Sequence, residues 1–193
     1  IKNNPEVFDT TIGWRFSNPK LKEEYGNDAM GLTAENLLEL QGVKPEKTSR
    51  EEQDRFAFQS HKRAINAIDA GPFNEEIVPI KVDEVFVKNG KRVESSHVVE
   101  IDEGVRRDTT LDGLAKLRPA FSKDGSVTAG NSSGINDGAA AILLSSKQKA
   151  QELNLKPKLR WLGSASTRTD PRYFGYGPVT ATENLLKRFG LVI

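Results

Sequence analysis

The sequence predicts an α/β fold in two parts: a mixed helix and strand region over residues 1–125, then layered strand, helix and strand pieces from Val127 onward. Three observations carry this. One segment with helical spacing has a capping signal at one end and Gly-Pro at the other. Several β-branched runs flank an Asn-Gly pair. The stretch "VTAGNSSGINDGAAAILLSS", residues 127–146, sets glycines, small polar residues and four alanines between two apolar ends with almost no charge.

Taken in order, the chain opens with a stretch rich in Asn, Pro and charge, after which "MGLTAENLLELQG" predicts a short helix with Leu37 and Leu40 inward and Gly42 at its end. "TSREEQDRFAFQSHKRAINAIDAGPF" is the clearest helix. Ser49 can cap it, Glu52 completes a capping box, Gly71-Pro72 stops it, and Ala57, Ala64, Ile65 and Ile68 mark its buried face. The pattern then turns to strands over residues 77–82, 85–87 and 98–101, and Asn89-Gly90 stands where a tight hairpin turn wants positive φ. The two parts meet near "FSKDGS". Beyond it, "KLRWLGSAST" reads as a strand and "DPRYFGYGP" as a glycine-rich loop. "VTATENLLKRFG" reads as a helix with Leu185, Leu186 and Phe189 on one side and Gly190 closing it.

Composition narrows the function classes. With 193 residues the chain suits one large domain or two small ones. Its 28 Lys plus Arg against 27 Asp plus Glu leave a net charge of +1, which gives no general pull toward nucleic acid. No cysteine means no disulfide, no Cys-ligated zinc and no thiol nucleophile. Nothing approaches a membrane span, and "IKNNPEVFDT" lacks the layout of a signal peptide, so a soluble, cytoplasmic protein without a membrane partner is expected. Ile1 is not an initiator Met and the chain ends on the apolar "RFGLVI", which points to a chain cut from something longer.

The motifs leave several readings open. The glycines at 130, 134 and 138 fit neither a dinucleotide fingerprint nor a phosphate-binding P-loop. A bare backbone of this kind serves a buried helix packed through its Gly and Ala face, or a ligand approaching that helix's N-terminus. His61 and His97 have no second ligand at metal spacing, so no metal site is expected. "SREEQD" and "VEIDEG" read as solvated faces. Arg106 and Arg107 in "IDEGVRRDTT" sit beside a turn and suit either a phosphate or surface salt bridges.

The same small-residue stretch closely resembles the segment V-T-A-G-N-[AS]-S-G-[IL]-N-D-G-A-A-A of the thiolases. "DAMGLTAENL", "SREEQDRFAFQSHKRA", "GPFNEEIVPI", "DTTLDGLAKLRPAF" and "FGYGPV" are similar to thiolase segments in thiolase order, so the resemblance covers essentially the whole chain. Within the family, "DTTIGWRFSNPKLKEEYGNDAMG" looks most like the β-ketoadipyl-CoA (3-oxoadipyl-CoA) thiolases of aromatic degradation. General 3-ketoacyl-CoA and acetoacetyl-CoA thiolases of fatty acid metabolism are the nearest alternatives.

The resemblance implies acyl transfer between coenzyme A thioesters, in which one cysteine takes the acyl group, a histidine activates it and a second cysteine handles a proton. This chain has no cysteine, no Gly-His-Pro and no Asn-Glu-Ala-Phe segment. The resemblance therefore implies the middle of a thiolase, with no catalytic residue of its own and no activity alone. Residues 1–125 would be a coenzyme A-binding loop domain, 126–150 the end of the N-terminal half and 151–193 the start of the C-terminal half. Gly130, Ser132, Ser133 and Ile135 would line the slot for the pantetheine arm, with the Ser133 hydroxyl facing its amide, while residues 134–141 form a core helix. Met30, Arg106, Gly113 and Phe121 would contact the coenzyme from the loop domain. Ala29 stands where some thiolases have histidine, and Gly113 where some have serine. Trp14 and Arg15 would set substrate selectivity. Coenzyme A and acyl-CoA are then substrates, no cofactor is permanently bound, and the intact enzyme would be a homo-oligomer, dimer or tetramer. The alternatives are a general acetyl-CoA acetyltransferase and a non-catalytic coenzyme A-binding module.

Overall fold

The structure, a computed structural model, describes residues 16–40, 48–136 and 138–193. In chain order it forms α1 (Pro19–Tyr25), α2 (Met30–Asn36) running into a 3-10 turn (Leu37–Glu39), α3 (Arg50–Ala70), β1 (Ile80–Lys88) and β2 (Lys91–Val99). α4 (Leu111–Ala115), α5 (Lys147–Glu152), a 3-10 helix (Pro171–Tyr176) and α6 (Gly177–Phe189) follow. Two compact units divide the chain: Ile1–Pro45 with Phe121–Gly125 and Ile135–Ile193, and Glu46–Ala120 with Ser126–Gly134.

The second unit is organised on α3. The Ser49 hydroxyl accepts the Glu52 amide at 3.3 Å to start the helix, and Gly71 ends it in the left-handed region at φ 81°. Ala57, Ala64, Ile65 and Ile68 are half-buried. The residue that α3 buries fully, however, is Asp54, only 4% exposed. "SREEQD" is thus corrected from a solvated face to one that turns a carboxylate inward, because Arg50 and Asn131 supply donors for it there. Arg50 also reaches the short α4, donating from Nη2 to the carbonyls of Leu114 at 2.7 Å and Leu117 at 3.0 Å. Past α4 the chain folds back on itself: the Ala120 amide donates to the Val127 carbonyl, and Pro119 bridges Thr128, which is 0% exposed.

The hairpin of the same unit pairs Ile80 with Val99 through to Lys88 with Lys91, antiparallel, around a two-residue loop. Asn89 and Gly90 take φ of 53° and 74°, the positive values that such a turn demands. Pairing carries both strands through Asp83-Glu84 and Ser95-Ser96, where side-chain preference alone had broken the runs.

In the first unit, Asn18 caps α1 through the Lys20 amide, with Pro19 at the first helical position. Asn36 at the end of α2 donates to Asp28 at 3.0 Å and to the Arg172 carbonyl at 3.2 Å, fixing α2 to the 3-10 helix. "DPRYFGYGP" is accordingly not an open loop. Asp170 accepts the Arg172 amide and Pro171 presets φ, so the chain winds into a 3-10 helix. α6 closes at Gly190 as its sequence predicts.

The mixed helix and strand content agrees with the α/β class, but two pieces of the expected core need correction. The described residues of 134–141 form no helix, and 158–167 forms no strand. A strand is defined by its hydrogen-bonded neighbour, and none lies beside these segments among the described residues. Gly, Ser and Asn, for their part, cannot nucleate an isolated helix. Ile142, Leu143, Leu144, Leu159 and Trp161 stay exposed as a result.

Candidate functional site

Five of the eight residues expected at a coenzyme A site can be placed by what holds them in the second unit or by what lies next to them. The loop over residues 126–134 is built around Asn131. Its Oδ1 accepts the Thr128 amide at 2.7 Å, its Nδ2 donates to Asp54 Oδ1 at 3.1 Å and to the Ser126 carbonyl at 3.0 Å, and its own amide donates to Thr128 Oγ1 at 3.3 Å. Gln53 adds a further tie from α3, donating to Ser126 Oγ at 2.8 Å. Gly130 lies against the side chains of Leu114 and Leu117, and any Cβ there would run into both. That close approach explains part of the bareness of the stretch.

Two neighbouring serines are used differently. The Ser132 hydroxyl donates to the Thr128 carbonyl at 2.7 Å and so belongs to the loop's own framework. Ser133 is exposed, and its hydroxyl has no protein partner among the described residues.

The adjacent arginines also separate. Arg107 grips Asp69 with two bonds, Nη2 to Oδ1 at 2.6 Å and Nη1 to Oδ2 at 3.1 Å. The hydrogen bond from Arg107 holds the Asp69 carboxyl below its ordinary 3.8, and the same contact raises Arg107. Arg106 is anchored by its backbone instead: its amide donates to His61 Nδ1 at 3.3 Å, and its carbonyl accepts from Thr109. The Arg106 guanidinium is exposed with no partner among the described residues, which leaves a cation on a fixed turn. Gly113 lies in the first turn of α4, its amide donating to Thr110 Oγ1 at 3.1 Å.

The other three candidates belong to the first unit. Met30 is the first residue of α2 and 73% exposed, Phe121 is half-buried with its ring directly over Gly31, and Ile135 is exposed. Trp14 and Arg15 lie outside the described residues. Among the described residues, no three His, Cys, Asp or Glu side chains gather as a metal site, and no helix is long and apolar enough to cross a membrane.

Sequence reasoning missed Asp54 and the clamp it forms with Asn131. The signal was present. Ala57, Ala64 and Ile68 define an inward stripe at helical spacing, and stepping back from Ala57 by three and then four lands on Asp54 and Arg50. Stepping forward by four lands on His61.

Residues 12–148 match the family described as the thiolase N-terminal domain, which is more than half of the chain. The chain belongs to the thiolase family. Among curated thiolases it is 45% identical over 188 residues to the 3-oxoadipyl-CoA/3-oxo-5,6-dehydrosuberyl-CoA thiolase of Escherichia coli (strain K12), covering 97% of this chain and 44% of that protein. It is 46% identical, with the same coverage, to the beta-ketoadipyl-CoA thiolase of Pseudomonas aeruginosa. The chain thus spans less than half the length of these thiolases. Among solved structures, the Bacillus anthracis acetyl-CoA acetyltransferase superposes with a TM-score of 0.71 at 38% identity, over 93% of this chain and 44% of that one. Human mitochondrial 3-ketoacyl-CoA thiolase gives 0.72 at 41% identity, over 89% and 40%. The α/β class read from the sequence is therefore that of a thiolase fragment.

Proposed function

We propose that this chain is the coenzyme A-binding middle part of a thiolase that cleaves 3-oxoadipyl-CoA, or a related 3-ketoacyl-CoA, with coenzyme A to give acetyl-CoA and a shortened acyl-CoA. The observation that carries this reading is the identity of 45% and 46%, over nearly the whole chain, with relatives named for that thioester. The chemistry needs a thiolate to take the acyl group, and the 193 residues hold no cysteine. The part's own work is to bind and orient.

In this reading the loop over 126–134 meets the pantetheine arm. Ser133 offers its free hydroxyl to the arm's amide, Gly130 and Ser132 shape the wall, and Ile135 adds an apolar side. Arg106 takes a phosphate of the nucleotide end with its unpaired guanidinium. Met30, Gly113 and Phe121 complete the contacts. Residues 1–125 act as the loop domain, 126–150 and 151–193 as pieces of the two thiolase halves, and the intact enzyme is a cytoplasmic homo-oligomer. Trp14 and Arg15 tune selectivity, Arg15 by pairing with the terminal carboxylate of the 3-oxoadipyl group, whose burial without a cation would be costly.

One observation favours a second reading, a general acetyl-CoA acetyltransferase: the protein so named from Chromobacterium violaceum is also 45% identical, over 98% of this chain. The test is calorimetric titration of the intact protein with coenzyme A, followed by thiolysis of 3-oxoadipyl-CoA and of acetoacetyl-CoA. No saturable coenzyme A binding sinks both readings. Arg15→Met is expected to lower kcat/KM for 3-oxoadipyl-CoA selectively against an uncharged six-carbon 3-ketoacyl-CoA, and parallel losses would remove Arg15 from the site.

A further inference from the structure

We propose that Asp54 is a positioning residue for coenzyme A binding, acting through Asn131 to fix the backbone that presents Ser132 and Ser133 to the pantetheine arm. The inference rests on the coenzyme A reading of that loop. Its basis is an unbroken line of hydrogen bonds within the second unit. Arg50 Nε donates to Asp54 Oδ2 at 2.8 Å, Asn131 Nδ2 donates to Asp54 Oδ1 at 3.1 Å, the Thr128 amide donates to Asn131 Oδ1 at 2.7 Å, and Ser132 Oγ donates to the Thr128 carbonyl at 2.7 Å. Ser133 is the next side chain along the loop, and the first hydroxyl on it without a partner among the described residues.

The chemistry of the carboxylate makes it hard to replace. An ionised Asp has two acceptor oxygens and no donor, and here each oxygen serves one donor. Held in this way, the Asn131 amide has one orientation only, with its NH₂ toward Asp54 and the Ser126 carbonyl and its oxygen toward the Thr128 amide. A loop of Gly, Ser and Thr has little side-chain bulk to define its path. The clamp supplies that definition from a rigid helix. Asn at position 54 has the same shape but a single acceptor oxygen, so its NH₂ faces a donor, and either the Arg50 Nε–H or the Asn131 N–H now bonded to Asp54 loses its acceptor in a buried site.

The test compares three ligands: coenzyme A, pantetheine and adenosine 3′,5′-bisphosphate. Each is titrated into the intact wild-type protein and its Asp54→Asn and Asn131→Ala variants, with thermal unfolding measured alongside. Asp54→Asn is expected to weaken coenzyme A and pantetheine about tenfold, as for loss of a buried bond to a charged group, and to leave the bisphosphate unchanged. Asn131→Ala keeps the Arg50–Asp54 pair and removes the tie to the loop together with the side chain's bonds to the Thr128 amide and the Ser126 carbonyl, so it gives the same pattern even if Asp54→Asn fails to fold. In the double variant the losses are expected to be non-additive, because the Asp54–Asn131 bond is shared by the two changes. Wild-type affinity for pantetheine in either folded variant, or an equal loss for all three ligands, overturns the positioning role while leaving the coenzyme A reading intact. A wild-type protein that binds none of the three overturns that reading itself.

Discussion

The backbone amide of Arg106 donates to Nδ1 of His61 across 45 residues of sequence. Nδ1 accepts only while it carries no proton, so the bond assigns the ring proton to Nε2 and ties the turn bearing Arg106 to α3. The guanidinium is left to reach outward.

Arg106→Ala is therefore expected to weaken coenzyme A binding about tenfold, as for loss of a charge-assisted bond to phosphate, and less where solvent screens it. Free pantetheine should bind as before. Arg107→Ala is the control, since Arg107 is already committed to Asp69. Calorimetry of both variants with both ligands checks this, and equal losses for coenzyme A and pantetheine would remove Arg106 from the phosphate.

Ser132 and Ser133 should part company under mutation. Ser133→Ala is expected to weaken coenzyme A several-fold, about 1 kcal/mol, with stability unchanged. Ser132→Ala loses the bond to the Thr128 carbonyl and should lower the unfolding free energy by about 1 kcal/mol. Chemical denaturation and ligand titration of the pair separate the two roles, and a stability loss at Ser133 would mean that its hydroxyl is used internally.

Much of this was legible, and what was not has a physical reason. The ends of α3, the Asn89-Gly90 turn and the close of α6 at Gly190 are set by local chemistry, so a single sequence shows them. The strand limits were not, because pairing and not side-chain preference carries β1 through Asp83 and Glu84. Asp54 was hidden by its type: a carboxylate among Arg, Glu and Gln reads as surface until the donors that bury it, 4 and 77 residues away, are known. The strands expected after Val127 need a hydrogen-bonded neighbour, and none lies beside them among the described residues, so their apolar residues alone could not make them.

Arg50 should be the costliest single loss in the second unit. Arg50→Met leaves Asp54 without its cation and takes one donor from each of the Leu114 and Leu117 carbonyls, and breaking a buried pair from one side costs roughly 3 kcal/mol. Urea denaturation measures it. A change below about 1 kcal/mol, the range of exposed pairs, would mean that the carboxylate is hydrated in solution.

The Asp69–Arg107 pair predicts an acid limb. The folded carboxyl sits below its ordinary 3.8, so its contribution to stability is fully present above that value and is lost as pH falls through the lower, folded value. Asp69→Asn should flatten this limb of the stability curve below pH 3.8 and leave it unchanged near neutrality apart from a constant offset. Denaturation curves of both proteins at neutral pH and between pH 4 and 2 test this, and identical acid limbs would show that the pair is not populated.

Arg50, Asp54 and His61 project from one stripe of α3, and each grips a different stretch of chain: the carbonyls of α4, the Asn131 side chain and the Arg106 amide. A helix turns by about 100° and rises 1.5 Å per residue, so Asp54 and His61 share a face about 10 Å apart. The helix thereby acts as a ruler with a phase. One residue added between the two anchors would swing His61 about a quarter-turn off the stripe while lengthening the gap by only about 1.5 Å. Spacing along α3 is thus quantised in whole turns, and the distance between the Ser133 hydroxyl's loop and the Arg106 turn can be retuned only in steps of a helical repeat.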